Sequence, residues 1–216
     1  MGIYVKLCSQ SGETHGRTKW GPGVVHEAIG EGKRLCSPDL IHVYDDLILG
    51  LMLNPVHAAY KNPRAFEVEC EIVANDRGAK KGTKKAAFIR WLEVPEVTTE
   101  QRQIFEVLCA LEVYTGPEFV AWTKEWLSGT DYPSSAWYAA VEALMRTKGG
   151  VDRWPTEPSK RALLAAALAI RCPSILGQWS YGESASAVVS ANRFKPLDLV
   201  ALAHKAMAWQ RTPSKS

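Results

Sequence analysis

The sequence lacks paired cysteines, long apolar runs and an excess of charge of one sign. Its five cysteines are widely spaced, odd in number and without a C-x-x-C pair. This excludes a disulfide framework and favours reduced, mostly buried thiols. The 26 basic and 23 acidic residues leave a formal net charge of +3. This excess is too small to indicate binding to nucleic acid or to an anionic membrane.

No segment predicts membrane insertion or export. The longest apolar stretches, residues 47–53 and 162–170, are much shorter than the roughly 20 residues that span a bilayer. The N-terminal residues lack the basic region and apolar stretch of a signal peptide. We therefore expect a soluble protein of the cytoplasm.

The first part of the chain has the patterns of strands. Residues 66–72 alternate strictly between apolar and acidic side chains, which predicts a strand with one buried face. Residues 3–8 and 86–94 are also expected to be strands, and 40–44 a short one. The strands over 66–72 and 86–94 are expected to pair antiparallel across a long connection.

The same alternation predicts which side chains share a face in the strand over 86–94. Phe88 and Arg90 should lie on one face, and Ile89 and Trp91 on the other. Before this pair, Asp45 or Asp46 is expected to cap a short helix that ends at Asn54 and Pro55.

From Thr98 onward the pattern is helical. Thr98 and Gln101 have the spacing of a capping box, and Pro117 stands at the favoured first position of the next helix. Further helices are expected up to residue 209. The sequence therefore predicts an α+β fold, with a small module of mixed strands and helices over residues 1–97 and an all-helical bundle region over residues 98–216.

Three residues suggest a nucleotide site. His15, Tyr44 and Glu93 follow one another in an order that resembles the layout of ADP-ribosyltransferase-like folds. That resemblance implies that His15 and Tyr44 hold a nicotinamide nucleotide and that Glu93 acts on the ribose or the acceptor. Here the His15-Gly16 pair is expected in a turn, whereas those folds place it on a strand. The competing interpretation is a loop histidine, a packed aromatic and an exposed strand-end charge.

A metal site is not expected. Several potential ligands are clustered in the first part of the chain, but they lack the paired spacings of two to five residues that zinc sites use. These ligands are His26, Cys36, His42, His57 and Cys70. Hydrogen-bonded histidines and buried thiols are the favoured interpretation, and no cofactor is predicted.

A basic segment connects the two central strands. It contains Arg77, Lys80, Lys81, Lys84 and Lys85 but lacks the residue order of a phosphate-binding P-loop, and it leads into a strand. We expect a solvated basic loop that could attract an acidic partner or RNA by charge alone.

Eight tryptophans are a large number for 216 residues. The usual explanation is core packing, but tryptophan is also enriched at protein interfaces. If Trp122, Trp126, Trp137 and Trp154 are exposed and contiguous, they form the best candidate surface for a protein partner.

Three motifs, found in order along the chain, carry a family resemblance. They are THGRTKWGPGVVHE at residues 14–27, LCSPDLIHVY at 35–44 and LGLMLNPVHA at 49–58. Together they resemble an uncharacterised family of bacteriophage and prophage proteins, especially of actinobacteria, that join a short α+β module to a helical tail. The resemblance implies a phage origin and supplies no established catalytic residues.

The leading hypothesis is therefore a phage or prophage accessory protein without enzymatic activity. It would bind a host protein or protein complex in the host cytoplasm, including a defence machine. The alternative is an ADP-ribosyltransferase-like enzyme or NAD binder that uses His15, Tyr44 and Glu93. A role in virion assembly is a third option. The identity of the partner and the oligomeric state stay open.

Overall fold

The computed structural model describes residues 1–128, 188, 191–193 and 195–209. The chain divides into two compact units. The first comprises Met1–Val97 and Asp198–His204, and the second comprises Thr98–Leu197 and Lys205–Ser216. Strands and helices are both present, so the fold is α+β, as the sequence predicts.

Seven strands and four helices have bounds that lie within the described residues. The strands are β1 (Gly2–Cys8), β2 (Glu13–Thr14), β3 (Thr18–Lys19), β4 (Val25–Glu27), β5 (Ile41–Val43), β6 (Arg64–Asn75) and β7 (Lys81–Leu92). The helices are α1 (Leu47–His57), α2 (Thr99–Leu111), α3 (Pro117–Leu127) and α4 (Leu199–Met207). A 3₁₀ turn at His15–Arg17 joins β2 to β3.

The main sheet closes on itself. β1 pairs antiparallel with β6, β6 with β7, and β7 with both β4 and β5. Tyr44, directly after β5, exchanges two backbone hydrogen bonds with Val5 of β1, at 2.9 and 2.8 Å. This bridge returns the pairing to β1. β2 and β3 form a separate two-stranded pair.

The β6–β7 hairpin is longer than the sequence indicates. The antiparallel pairing of these strands is confirmed, but each strand has 12 residues. Because β6 ends at Asn75 and β7 begins at Lys81, the connection is only residues 76–80. The long basic loop of the sequence-based prediction is therefore mostly strand.

An irregularity in this hairpin overrides the simple alternation of side chains. Val68 pairs with Phe88 and Glu67 pairs with Arg90, so Ile89 is an extra residue on β7. Such a bulge re-aims the side chains that follow it. Phe88 and Trp91 consequently pack on the same core, and the prediction that they lie on opposite faces is wrong.

An aromatic cluster holds the inner face of the sheet together. The Phe66 ring lies 5.1 Å from Trp20 and 5.3 Å from both Phe88 and Trp91, measured between ring centroids. Ring pairs at such distances are attractive beyond the area that they bury. The buried side chains of this core are Cys8, Trp20, Val43, Phe66, Val68, Cys70, Ala86 and Phe88.

Helix α1 begins as predicted and ends later. The Asp46 carboxylate accepts a hydrogen bond from the Leu49 amide at 3.0 Å and caps the helix. The expected stop at Pro55 is wrong, because the helix continues to His57. A proline in the last turn removes only one intrahelical hydrogen bond, and the Asn54 carbonyl accepts from Ala58 at 2.9 Å.

The second unit begins with the predicted capping box. Thr98 accepts from the Gln101 amide at 3.1 Å, and the Gln101 side chain accepts from the Thr98 amide at 2.9 Å. Pro117 is the first residue of α3, as expected. The predicted helices between residues 134 and 187 lie outside the described residues. None of the helices in the described ranges has the length and apolar character needed to cross a bilayer.

Trp122 belongs to the core of the second unit. Its side chain is 2% exposed and stacks between Phe119, at 6.0 Å, and Trp126, at 5.9 Å. Trp126 is half-buried. The proposed partner surface is therefore wrong for Trp122, because a ring in this stack is not accessible to a partner. Trp137 and Trp154 lie outside the described residues.

Candidate functional site

The first unit contains a cavity of about 940 Å³. This volume is at the upper end of the range for small-molecule sites. Its walls come from β1, the turn after β2, β4, the loop before β5, and the end of α1. Lys80, just before β7, completes the lining, so the cavity collects side chains from six separate stretches of sequence.

His15 lies at the exposed edge of the cavity, in a turn as the sequence predicts. The turn is only three residues long and needs a positive φ at Gly16, which is 74°. Glycine adopts this conformation without strain. Thr14 anchors it by accepting a hydrogen bond from Trp20 Nε1 at 3.1 Å. The His15 ring is 6.1 Å from the ring of Tyr60. His15 can therefore contact a ligand without losing a core contact.

Tyr44 lines the same cavity from its buried side. It is 4% exposed, and its ring stacks on His57 at 5.9 Å and 18°. Helix α1 approaches it closely at Gly50, where a Cβ atom would come within 3.1 Å of the Tyr44 ring. Burial raises the pKa of Tyr44, with Tyr60 and Cys36 adding to the shift. The hydroxyl therefore stays protonated at neutral pH.

Glu93 does not line the cavity. It is exposed and directly follows Leu92, the last residue of β7. Lys80, which does line the cavity, precedes the other end of this 12-residue strand. The structure thus brings two of the three sequence-predicted residues together and leaves the third at the far end of the hairpin.

Two buried lysines contribute positive charge to the cavity wall. Lys6 Nζ donates to the His42 carbonyl at 2.9 Å and lies 5.6 Å from the Trp20 ring centroid. Burial lowers the pKa of Lys6 to about 8, and Cys8 and Cys70 partly oppose this shift. Lys80 is 6% exposed, and its Nζ lies 2.6 Å from Cys36 Sγ.

Two histidines beside these lysines are uncharged at neutral pH. Burial, followed by the charges of Lys80 and Lys6, lowers the pKa of His42 to about 4. Its Nε2 accepts from the Cys36 amide at 3.0 Å, which places the proton on Nδ1. Burial and the same Lys80 charge lower the pKa of His57 to about 3.

His57 also carries an unsatisfied polar atom. Its Nδ1 is buried and has no hydrogen-bond partner within the described part of the chain. Buried polar atoms normally have a partner, so an orphan beside a cavity is a candidate contact for a ligand.

The other predicted basic residues have structural partners. Lys81 pairs with Asp45 at 2.6 Å, and Lys85 pairs with Glu27 at 2.7 Å. Lys84 donates to the carbonyls of Gly30, Gly32 and Asp39 and so fastens the loop before β5 to the sheet. The prediction of a solvated basic loop is thus wrong for Lys80, which is buried, and for Lys81 and Lys84.

Arg77 is exposed in the short connection between β6 and β7, with φ of 48°. It is the one member of the predicted basic set that lies in the turn and is exposed there. An electrostatic surface for RNA or an acidic partner, formed by five basic side chains in one loop, is therefore not present at this hairpin.

The sequence singles out His15 and Tyr44, which both line the cavity, but it does not predict that two lysines and two histidines line the cavity with them. These are Lys6, Lys80, His42 and His57. His42, His57 and Cys36 stood out as potential metal ligands. In the residues that the structure describes, no group of three or more His, Cys, Asp or Glu is arranged to hold a metal ion. The sequence does not distinguish Lys80 from the four other basic residues of its segment, because only the folded structure shows that Lys80 is buried.

The charge on the cavity wall favours an anionic ligand. Among the described residues that line it, Lys6, Arg17, Lys19 and Lys80 are basic and Glu27 alone is acidic. Rings of Trp20, Tyr44 and Tyr60 add surfaces for a planar group.

Comparison of the chain with protein-family models, curated proteins and solved structures finds no match.

Proposed function

We propose that the first unit binds a small anionic ligand that carries a planar ring, of the nucleotide class, with NAD as the test ligand. One observation carries this proposal. His15 and Tyr44 lie 29 positions apart, and the sequence places both in one candidate site; both line the same cavity.

The chemistry of the wall supports this ligand class. Four basic side chains against one acidic side chain favour phosphate groups over a cation. The orphan Nδ1 of His57 provides an unused polar atom beside the stacked Tyr44 ring. A nucleotide would place its phosphates near the basic side chains and its planar base near the Tyr44 ring and the His57 Nδ1 atom.

The proposal is ligand binding rather than ADP-ribosyl transfer. Transfer of that kind would need Glu93 beside the bound ribose, and Glu93 is outside the cavity lining. Lys6, Lys80 and the neutral histidines supply binding contacts, and Glu27 is the one carboxylate among the described residues that line the cavity. We therefore expect NAD to bind without being consumed.

Calorimetry with NAD tests the proposal. We expect saturable binding to the wild type and a loss of about tenfold in affinity, or about 1.4 kcal/mol, in His15→Ala. Titration with pyrophosphate and with nicotinamide separates the contribution of the phosphates from that of the ring.

His204→Ala is the matched control, because His204 is an exposed histidine of the first unit that does not line the cavity. It should bind NAD as the wild type does. Absence of binding heat at millimolar NAD would overturn the proposal, as would equal losses in His15→Ala and His204→Ala.

We also propose an interaction role, in which the chain acts as a phage accessory protein on a host protein in the bacterial cytoplasm. Exposed apolar side chains on the outer face of the sheet favour it. Ile3 and Val25 align across the sheet through Glu69 and Ala87, and Ile89 is close to them on β7. Exposed apolar patches of this kind mark interaction surfaces. In this proposal, residues 98–216 form a helical bundle attached to the interacting module.

Paired pull-downs from bacterial lysate test this role. A specific partner should be retained by the wild type and lost on Ile89→Lys. Ile3→Lys should weaken the same interaction, while Lys124→Ala in the second unit should not. Capture of the same proteins by all variants would count against this surface.

A further inference from the structure

Cys36 differs from the other cysteines that the structure describes. Cys8, Cys70 and Cys109 are buried, whereas Cys36 is exposed. Its backbone has φ of 62°, and its amide is held by His42 Nε2 at 3.0 Å. The loop that carries it is fastened by Lys84. Cys36 is therefore an accessible thiol held in a defined position in the cavity wall.

The partner of this thiol is a buried lysine. Lys80 is 6% exposed, and its Nζ has no hydrogen bond or ion pair to a carboxylate among the described residues. Its hydrogen-bond partner is Cys36 Sγ at 2.6 Å. A buried ammonium requires an opposite charge nearby. Cys36 Sγ is the polar atom placed beside it.

We propose that Cys36 and Lys80 form an oxidation site that reacts with a hydroperoxide and ends as a covalent Cys36–Lys80 cross-link. The proposal goes beyond nucleotide binding and does not depend on it. Accessible thiolates beside a positive charge are the cysteines that peroxides oxidise.

In the first step the Cys36 thiolate attacks the terminal oxygen of the hydroperoxide. A sulfur–oxygen bond forms and the oxygen–oxygen bond breaks. The sulfur is oxidised to a sulfenic acid, and the peroxide is reduced to an alcohol, or to water if the oxidant is hydrogen peroxide. The Lys80 ammonium supplies the proton of the leaving group and becomes a neutral amine.

In the second step the Lys80 amine attacks the sulfenic sulfur. A sulfur–nitrogen bond forms, the sulfur–oxygen bond breaks, and water leaves with a proton from the amine. Thiolate, ammonium and hydroperoxide thus give a sulfenamide, an alcohol and water. The short distance between Nζ and Sγ brings the reacting atoms together without movement of the loop.

The test uses the full chain with Cys172→Ser, so that the cysteine outside the described residues does not contribute. The protein is treated with hydrogen peroxide and mapped by mass spectrometry. We expect a peptide containing Cys36 joined to one containing Lys80, two hydrogens lighter than their sum and separated by dithiothreitol.

Three variants sharpen this test. Lys80→Met should slow oxidation of Cys36 about tenfold, because the thiolate loses its partner. Lys80→Arg keeps the charge, so Cys36 should still be oxidised and captured by dimedone, without the cross-link. Lys85→Met, the matched control at an exposed lysine, should behave as the wild type does. Lys80→Arg keeps the test valid if Lys80→Met fails to fold.

Two outcomes would overturn the proposal. One is oxidation of Cys36 in the wild type without any link to Lys80. The other is a rate of oxidation that is the same in the wild type and in folded Lys80→Met. Either outcome leaves the NAD titration unaffected, so the two proposals fail separately.

Discussion

The cavity has a buried floor and an exposed rim, and the two differ in what holds their side chains. The floor consists of Lys6, Tyr44, His57 and Lys80, which pack against the sheet and helix α1. The rim includes His15, in a turn held by its backbone. Burial shifts the pKa values of Lys6, Tyr44 and His57. Replacing a floor residue should therefore change both ligand affinity and the free energy of unfolding. Replacing a rim residue should change ligand affinity alone.

The largest expected effect is at Tyr44. Tyr44→Ala removes a ring that is stacked on His57 and packed beneath Gly50, so the free energy of unfolding should fall by about 3–5 kcal/mol. Urea denaturation followed by circular dichroism measures it. Tyr44→Phe keeps the ring and should lose much less. A loss below about 1 kcal/mol in Tyr44→Ala would show that the floor is not part of the core.

Lys6→Met should have the next largest effect on the free energy of unfolding, and it should stabilise the fold rather than destabilise it. The pKa of Lys6 falls from its ordinary value of 10.5 to about 8, so the charged form destabilises the folded state at neutral pH. Removing the charge should raise the free energy of unfolding at pH 7 by up to about 3 kcal/mol, less the lost hydrogen bond to His42.

The pH dependence identifies the cause. From pH 8 to 10.5 the unfolded wild type binds more protons at Lys6 than the folded wild type does, so this residue makes stability rise with pH. The advantage of Lys6→Met should shrink across that window. Burial raises the pKa of Cys8 to about 11 and Lys6 opposes that shift, so the comparison is read between pH 8 and pH 9, where the Cys8 thiol is still largely protonated in both states. An advantage that does not vary with pH would contradict the assignment.

His57→Leu should reduce the sensitivity of the fold to acid. The pKa of His57 is about 3 when folded and 6.5 ordinarily, so the unfolded chain gains a proton first as pH falls below 6.5. The wild type should therefore lose about 2 kcal/mol through His57 between pH 7.5 and pH 5. Denaturation at both pH values measures the loss. An equal loss in His57→Leu would be inconsistent with a neutral, buried His57.

The smallest effect on stability should be at the rim. His15→Ala removes an exposed side chain, so the free energy of unfolding should change by less than about 0.5 kcal/mol. The same variant is expected to weaken NAD binding. Thermal denaturation beside the calorimetric titration checks both. A large loss of stability in His15→Ala would remove the distinction between floor and rim.

Local patterns predicted much of the fold. The alternation in residues 66–72, the Asp46 cap, the Thr98–Gln101 capping box and Pro117 each correspond to an observed feature. These features depend on neighbours within a few positions in the chain, which is why a sequence reveals them. The helix continues to His57 because Pro55 lies in the last turn and removes only its own N–H bond, while the Ala58 amide still donates to the Asn54 carbonyl.

Long-range effects explain what the sequence did not reveal. The bulge at Ile89 depends on how β7 pairs with β6, and it put Phe88 and Trp91 on one core. Lys80 and Lys84 look alike in the sequence. One is buried against Cys36, and the other binds three loop carbonyls. The partners of both lysines lie more than 40 positions away in the chain, so no local sequence pattern predicts these contacts.

The sequence by itself determined the α+β class, the main strands and the candidates His15 and Tyr44, because periodicity and capping are local. Only the tertiary structure decided that those two residues share a cavity and that Glu93 is outside it. It also decided that Lys80 meets Cys36 and that Trp122 is core. Those outcomes depend on burial and on the pairing of distant strands, which set the dielectric surroundings and the partners of each side chain.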